Sequence, residues 1–133
     1  MPRGLVVFAT RTGETAKIAH LIAEGMRFEG YDVDVLNVTA VDKSGISLKD
    51  YNAVVLGSAT YHGEMLQSMK TFLFVAENAN LEGKAGGAFG AFGWSGEAPR
   101  RIFDTMRHVL RMDMVPEPLV LKSADIGGAT GIT

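Results

Sequence analysis

Residues 5–26 read LVVFATRTGETAKIAHLIAEGM and join two elements of different periodicity. Leu5 to Ala9 is a continuous apolar run, which predicts a strand buried on both faces. From Glu14 to Phe28 the apolar residues recur at helical spacing, and Gly30 ends this predicted helix. The turn at residues 10–15 holds three threonines, a glycine and a glutamate. A strand, a polar turn and a helix in this order favour an α/β fold.

The same alternation of strand and helix continues along the rest of the chain. Further strands are predicted for Tyr31 to Val38, Asn52 to Gly57, Gly86 to Phe92 and Pro118 to Lys122. Helices are predicted for Glu64 to Asn78 and Glu97 to Met112, and one helical turn capped by Ser47 for residues 47–50. This alternation predicts a parallel sheet with helices on both faces, and 133 residues fit one domain.

The composition excludes several classes of function. The chain is 47% hydrophobic and 21% charged with a net charge of -2, which is typical of a cytoplasmic globular protein. Scattered lysines and arginines form no footprint for nucleic acid, and no apolar run approaches the roughly 20 residues that span a bilayer. The absence of cysteine excludes disulfides, thiolate catalysis and cysteine-ligated metal centres.

The loop after the first strand is a candidate anion site. A helix N-terminus offers free N–H groups and a partial positive charge, and Thr10, Thr12 and Thr15 add hydroxyl donors. Gly13 allows the backbone a close approach or a positive φ. The alternative is that one threonine simply caps the helix. Three hydroxyls where one cap suffices favour the anion site.

The loops after the third and fourth strands are small and carry aromatic residues. Residues 57–63 read GSATYHG, and residues 89–97 read FGAFGWSGE. Tyr61 and Trp94 could stack on a planar ring, although each alone is as easily an ordinary half-exposed or core-capping residue. Since ligands of parallel sheets bind beyond the carboxyl ends of the strands, the three loops together predict a phosphate at one end and a flat ring at the other.

These loops resemble those of the flavodoxin family, which binds FMN. The residues from Thr10 to Thr15 are similar to its T-x-T-G-x-T phosphate loop. The other two loops are similar to its isoalloxazine loops, especially to the G-S-x-T and A-F-G-x-x-G-W stretches in the flavodoxin-like domain of flavodiiron proteins. The resemblance covers about residues 3–122.

The resemblance implies a set of cofactor-binding residues. The phosphate of FMN would be held by Thr10, Arg11, Thr12, Gly13, Glu14 and Thr15. One side of the flavin would be lined by Ser58, Ala59, Thr60, Tyr61, His62 and Gly63. The other side would be lined by Phe92, Gly93, Trp94 and Gly96.

The resemblance also implies the fold and the activity. The fold is a flavodoxin-like, doubly wound, five-stranded parallel sheet of order 2-1-3-4-5, the order for which flavodoxin is itself a standard example. The expected activity is low-potential one-electron transfer through FMN between redox protein partners. We therefore expect a single FMN-binding domain over residues 1–133 that is an electron carrier rather than an enzyme with its own substrate.

The C-terminal residues depart from the family pattern. Flavodoxins end with a helix beside the first helix, whereas residues 123–133 have no amphipathic pattern. Either a partner subunit covers this sheet face, as in a homo-oligomer, or the chain is truncated or a piece of a larger protein. We expect an exposed apolar patch near the first helix unless an oligomer covers it.

Other proteins with this architecture remain as alternatives to a carrier. An FMN-dependent NAD(P)H:quinone-type reductase needs a substrate pocket over the ring, for which the short loops leave little material. A domain of a larger flavodiiron-type oxidoreductase, or an interaction domain without cofactor, stays open. A response-regulator receiver needs acidic residues where Thr10 and Ser58 stand, and a low-molecular-weight phosphatase needs a cysteine.

Overall fold

The computed structural model of the protein describes residues 2–9, 13–41, 47–58, 60–61, 64–79, 81–92, 97–114 and 119–122. The strands are β1 Arg3–Ala9, β2 Asp32–Asn37, β3 Ala53–Ser58, β4 Thr60–Tyr61, β5 Glu64–Met65, β6 Ala85–Phe92, β7 Asp113–Met114 and β8 Leu119–Lys122. The α-helices are α1 Glu14–Phe28, α2 Gln67–Ala76 and α3 Glu97–His108. Short 3-10 turns cover Val38–Ala40, Leu48–Asp50 and Glu77–Ala79.

The main sheet is parallel and confirms the predicted strand order. Strands β2, β1, β3 and β6 lie side by side in that sequence. Both β7 and β8 pair with β6, β7 near its start at Ala85 and β8 near its end at Phe92. The two short strands therefore occupy the fifth position one after the other, which gives the order 2-1-3-4-5 with β7 as an unpredicted addition.

Each face of the sheet carries its own apolar layer, because side chains alternate along a strand. On one face, Val6 and Phe8 of β1 pack against Ile18 of α1. On the other face, the core is formed by α2 and α3 against the alternate residues of β1 and β3. Its buried members include Leu5, Val7, Val54, Leu56, Met69, Phe72, Ile102 and Met106. The two layers confirm that β1 is buried on both faces.

Two predicted helices differ from the observed ones in their limits. Glu64–Met65 is a strand, so α2 begins at Gln67 rather than at Glu64. Helix α3 ends at His108 rather than at Met112, because the N–H groups of Val109 and Leu110 both bond to the carbonyl of Thr105. Val109, which lies beyond the end of α3, is exposed.

The remaining predictions concern the limits of α1, the turn after Ser47 and the tail. Helix α1 runs from Glu14 to Phe28, as predicted. Ser47 is the N-cap of the 3-10 turn Leu48–Asp50, as predicted, although its side chain makes no capping hydrogen bond. The tail, residues 123–133, lies outside the described residues. No helix in the described ranges combines the length and the apolar character needed to cross a membrane.

An apolar groove lies beside α1, on the face of the sheet opposite α2 and α3. Its volume is about 330 Å³. The floor comes from β3 and β6 and the wall from the C-terminal half of α1. Its lining includes Ile22, Met26, Tyr31, Val55, Ala85 and Gly87. Within the described residues, an apolar groove therefore lies near the first helix, where the patch was expected.

A cluster of side chains around Tyr51 stabilises the edge of the sheet at the amino-terminal ends of the strands. The buried Tyr51 hydroxyl donates to the Asp34 carboxylate at 2.7 Å, and the Arg3 guanidinium lies 4.6 Å from the centre of the Tyr51 ring. Lys84 Nζ donates to the Tyr51 carbonyl at 2.6 Å. Burial, and then the hydrogen bond to Asp34, raises the pKa of Tyr51 to about 12.

Candidate functional site

The carboxyl ends of three strands meet at one edge of the sheet. Ala9, the last residue of β1, pairs with Ser58, the last residue of β3. Gly57 pairs with Phe89, and β6 continues from there to Phe92. The order of connections reverses between β1 and β3, so this edge is the switch point at which ligands bind in open α/β sheets.

The first turn of α1 is arranged as an anion site. Gly13 is the N-cap with φ 91° and ψ -6°, a left-handed conformation that glycine adopts without strain. Its carbonyl accepts from the Lys17 N–H at 3.2 Å. The N–H groups of the first helical turn, from Glu14 to Ala16, have no carbonyl acceptor inside a helix and point towards the loop. Because the cap position is a glycine, the alternative of a threonine at the cap is wrong.

Thr15 is the clearest indication of a binding site at this position. It lies in the first turn of α1 and is fully buried. Its Oγ1 is the one buried side-chain oxygen or nitrogen, among the residues that the structure describes, without a hydrogen-bond partner. Leaving such a group unsatisfied costs about 1–3 kcal/mol, so buried hydroxyls almost always have a partner. A hydroxyl beside free helix N–H groups fits a phosphate oxygen.

The buried side chain of Ser58 makes a hydrogen bond at the base of the second loop. It is fully buried at the end of β3, and its Oγ accepts from the Leu66 N–H at 3.0 Å. Leu66 is the N-cap of α2 and is extended, with φ -63° and ψ 148°. The serine hydroxyl thus joins the end of one element to the start of the next.

Between Ser58 and Leu66 the chain forms a small antiparallel hairpin that was not expected from the sequence. Thr60 of β4 pairs with Met65 of β5, and Tyr61 pairs with Glu64. Helix α3 packs against this hairpin. Threonine and tyrosine are favoured in strands, and this was the local signal that could have indicated it.

The predicted cofactor-binding residues fall into three groups. Gly13, Thr15 and Ser58 are brought to one edge of the sheet with their surroundings described. The backbone positions of Glu14, Thr60, Tyr61 and Phe92 lie at the same edge. Outside the described residues lie Thr10, Arg11, Thr12, Ala59, His62, Gly63, Gly93, Trp94 and Gly96.

The sequence matches the family model of the flavodoxin domain over residues 5–118. The chain belongs to the flavodoxin family. A flavodoxin of Clostridium saccharobutylicum is 34% identical over 85 residues, which are 63% of this chain and 52% of that protein. The chain therefore spans about half the length of this relative.

Solved structures show the same likeness. A flavodoxin from the domain Archaea has a TM-score of 0.84 and 31% identity, over 95% of this chain and 90% of that chain. The flavodiiron protein from Giardia intestinalis has a TM-score of 0.83 and 28% identity, over 90% of this chain and 30% of that chain. The resemblance to flavodoxins and to flavodiiron domains is thus confirmed, and FMN, the expected cofactor, is the cofactor of the family.

Proposed function

We propose that this chain is an FMN-binding, low-potential one-electron carrier that passes electrons between redox proteins. The observation that carries the proposal is the unpartnered, buried Thr15 Oγ1 at the N-terminus of α1. The family match over residues 5–118 supports FMN as the ligand that would complete it.

The chain's own residues would bind the phosphate without a metal or a lysine. Thr10, Thr12 and Thr15 would donate hydroxyl hydrogen bonds, and the first-turn N–H groups of α1 would add backbone donors. The left-handed Gly13 lets the backbone turn into the helix close to the anion. Arg11 and Glu14, the other residues of the loop, are proposed to border the phosphate.

The second and third loops would hold the flavin ring. The loop from Ser58 to Gly63 would border one side, with Ser58 at its base and Tyr61 available to stack on the ring. Phe92, Gly93, Trp94 and Gly96 would line the other side. FMN, when bound, supplies the electron-accepting ring, and the protein supplies its position and electrostatics. Enclosure between two aromatic loops would orient the ring and exclude water from it.

A comparison of FMN with riboflavin tests the phosphate part of the proposal. The apoprotein is titrated with each flavin while the quenching of flavin fluorescence is followed. Each hydrogen bond to a charged group contributes about 1.5–3 kcal/mol, so FMN should bind at least about tenfold more tightly than riboflavin. Equal affinity for the two flavins would contradict a phosphate site.

A second candidate is a flavodoxin-like domain of a larger oxidoreductase. It is favoured by the flavodiiron protein, whose structure matches 90% of this chain with 30% of its own length. A reductase with its own substrate is a further alternative. Oxidation of NADH or NADPH by the purified FMN-loaded chain, with a quinone present, would favour the reductase, and its absence would favour the carrier.

The remaining expectations stay proposals. We expect the chain to act as one domain over residues 1–133, to be cytoplasmic and to exchange electrons with protein partners. A second copy of the chain is proposed to cover the apolar groove beside α1. Ala85 lies exposed at this groove. Ala85→Asp should therefore weaken self-association in light scattering and leave FMN affinity unchanged; a monodisperse wild-type monomer would contradict this.

A further inference from the structure

The hairpin formed by β4 and β5 is too short to be stable by itself. It contributes two residue pairs, Thr60 with Met65 and Tyr61 with Glu64. An isolated two-stranded hairpin of this kind is at best marginally stable in water. Contacts outside the hairpin must therefore stabilise it, and these are the packing of α3 and the contacts at its two ends.

The Ser58 hydroxyl provides such a contact. Its oxygen accepts from the Leu66 N–H, eight positions along the chain, at 3.0 Å and so closes the base of the hairpin. Leu66 has no side-chain cap of its own, and its carbonyl already accepts from the N–H groups of Met69 and Lys70. The same bond therefore fixes the base of the hairpin and the first turn of α2.

We propose that Ser58 is a positioning residue, whose hydroxyl holds the hairpin with Thr60 and Tyr61 at the flavin instead of binding the flavin itself. The proposal rests on the proposed function. Two observations carry it: the serine is fully buried, and its oxygen is engaged by a backbone amide at the base of the hairpin. The sequence alone predicted only that Ser58 lines the flavin.

The consequence is a coupling between a buried hydroxyl and the redox behaviour of the flavin. Ser58→Ala removes the acceptor of the Leu66 N–H and lets the base of the hairpin open more often. A typical hydrogen bond corresponds to about a 2- to 12-fold change in an equilibrium constant. The hairpin would contact the ring, so its loosening should change the affinities for the oxidised and the reduced flavin unequally. Because the midpoint potential depends on the ratio of these two affinities, the potential should shift.

The experiment compares three variants with the wild type. Ser58→Ala removes the hydroxyl, and Ser58→Thr retains it. Thr71→Ala is the matched control, because it removes a hydroxyl that donates to the Gln67 carbonyl at 3.1 Å on the exposed side of α2. The readouts are the exchange rate of the Leu66 amide in the apoprotein by NMR, the dissociation constant for FMN, and the midpoint potential of bound FMN.

We expect Ser58→Ala to speed Leu66 exchange, to weaken FMN binding by about 2- to 12-fold and to shift the potential. Thr71→Ala should leave all three near the wild-type values, and Ser58→Thr, which keeps the acceptor oxygen, should exchange the Leu66 amide more slowly than Ser58→Ala does. Unchanged Leu66 exchange in Ser58→Ala, or weaker binding at an unchanged potential, would overturn the proposal. If Ser58→Ala does not fold, Ser58→Cys, whose sulfur is a weak hydrogen-bond acceptor, takes its place. Faster Leu66 exchange with a shifted potential would then support the proposal, and unchanged exchange would overturn it.

The two proposals fail in distinguishable ways. A wild-type chain that binds no FMN would overturn the proposed function and, with it, the role of Ser58 toward the flavin. A wild-type chain that binds FMN, with a Ser58→Ala variant of unchanged potential, would overturn only the role of Ser58.

Discussion

Replacement of Thr15 by valine should change the stability of the apoprotein and its affinity for FMN in opposite directions. Valine has nearly the shape of threonine and replaces the hydroxyl with a methyl group. In the apoprotein that hydroxyl is fully buried and has no partner. In the FMN complex, by our proposal, the same hydroxyl donates to the phosphate.

The magnitudes follow from the two states of the hydroxyl. An unsatisfied buried polar group costs about 1–3 kcal/mol, so Thr15→Val should raise the free energy of unfolding of the apoprotein by up to this amount. Threonine and valine have similar helix propensities, so the helix itself contributes little. A lost hydrogen bond to a charged phosphate is about 1.5–3 kcal/mol, which weakens FMN binding about 10- to 150-fold.

Urea denaturation of the apoprotein measures the first effect, and a fluorescence titration with FMN measures the second. Thr15→Ser, which keeps the hydroxyl, should bind FMN within a few-fold of the wild type. Thr71→Val is the matched control for the loss of a hydroxyl, because Thr71 is exposed and its hydroxyl is satisfied by the Gln67 carbonyl. This control should show neither the gain in stability nor the loss of affinity.

Two results would refute the reasoning. A Thr15→Val apoprotein that is less stable than the wild type would mean that the hydroxyl is satisfied in the absence of ligand. An unchanged affinity for FMN would mean that Thr15 does not contact the phosphate.

Two further predictions concern the scaffold. A Cβ on Gly57 would overlap the ring of the fully buried Phe89, so Gly57→Ala should lower the free energy of unfolding, measured in urea, by about 1–3 kcal/mol. Gly25→Ala is the control and should not lower it, because Gly25 lies in a helix with open space around its Cβ position. The pKa of Tyr51 is raised to about 12, so its contribution to stability is present below pH ~10 and is lost as pH rises towards 12. Tyr51→Phe should lower the free energy of unfolding by about 0.5–1.5 kcal/mol at neutral pH, because the hydrogen bond to Asp34 is lost. In urea denaturation between pH 8 and 12, the variant should lose less stability with rising pH than the wild type does.

Local patterns were enough for the elements with one dominant periodicity. The limits of α1 were predicted correctly, because Gly13 and Gly30 flank a clear helical stripe. Strand β1 was predicted from five consecutive apolar residues, although it begins two residues earlier at Arg3. Strand order came from the family resemblance, since periodicity does not state which strands are neighbours.

Elements whose limits depend on individual hydrogen bonds could not be predicted from residue types. Glu64–Met65 fits a helical pattern by residue type, and it is a strand because the Ser58 hydroxyl fixes Leu66 and the chain turns back on Thr60–Tyr61. The end of α3 depends on a double hydrogen bond to the Thr105 carbonyl, which no residue type signals. Residue types predicted an anion beside a flat ring, and the family resemblance predicted FMN, whereas the unpartnered state of Thr15 needed the packed structure.

The most direct test of the central claim is the visible absorption spectrum of the chain after incubation with FMN and removal of the excess by desalting. The account predicts retained flavin bands with about one FMN per chain, and a spectrum that changes on chemical reduction and returns on reoxidation. A folded chain that emerges colourless would contradict the claim that these loops form an FMN site.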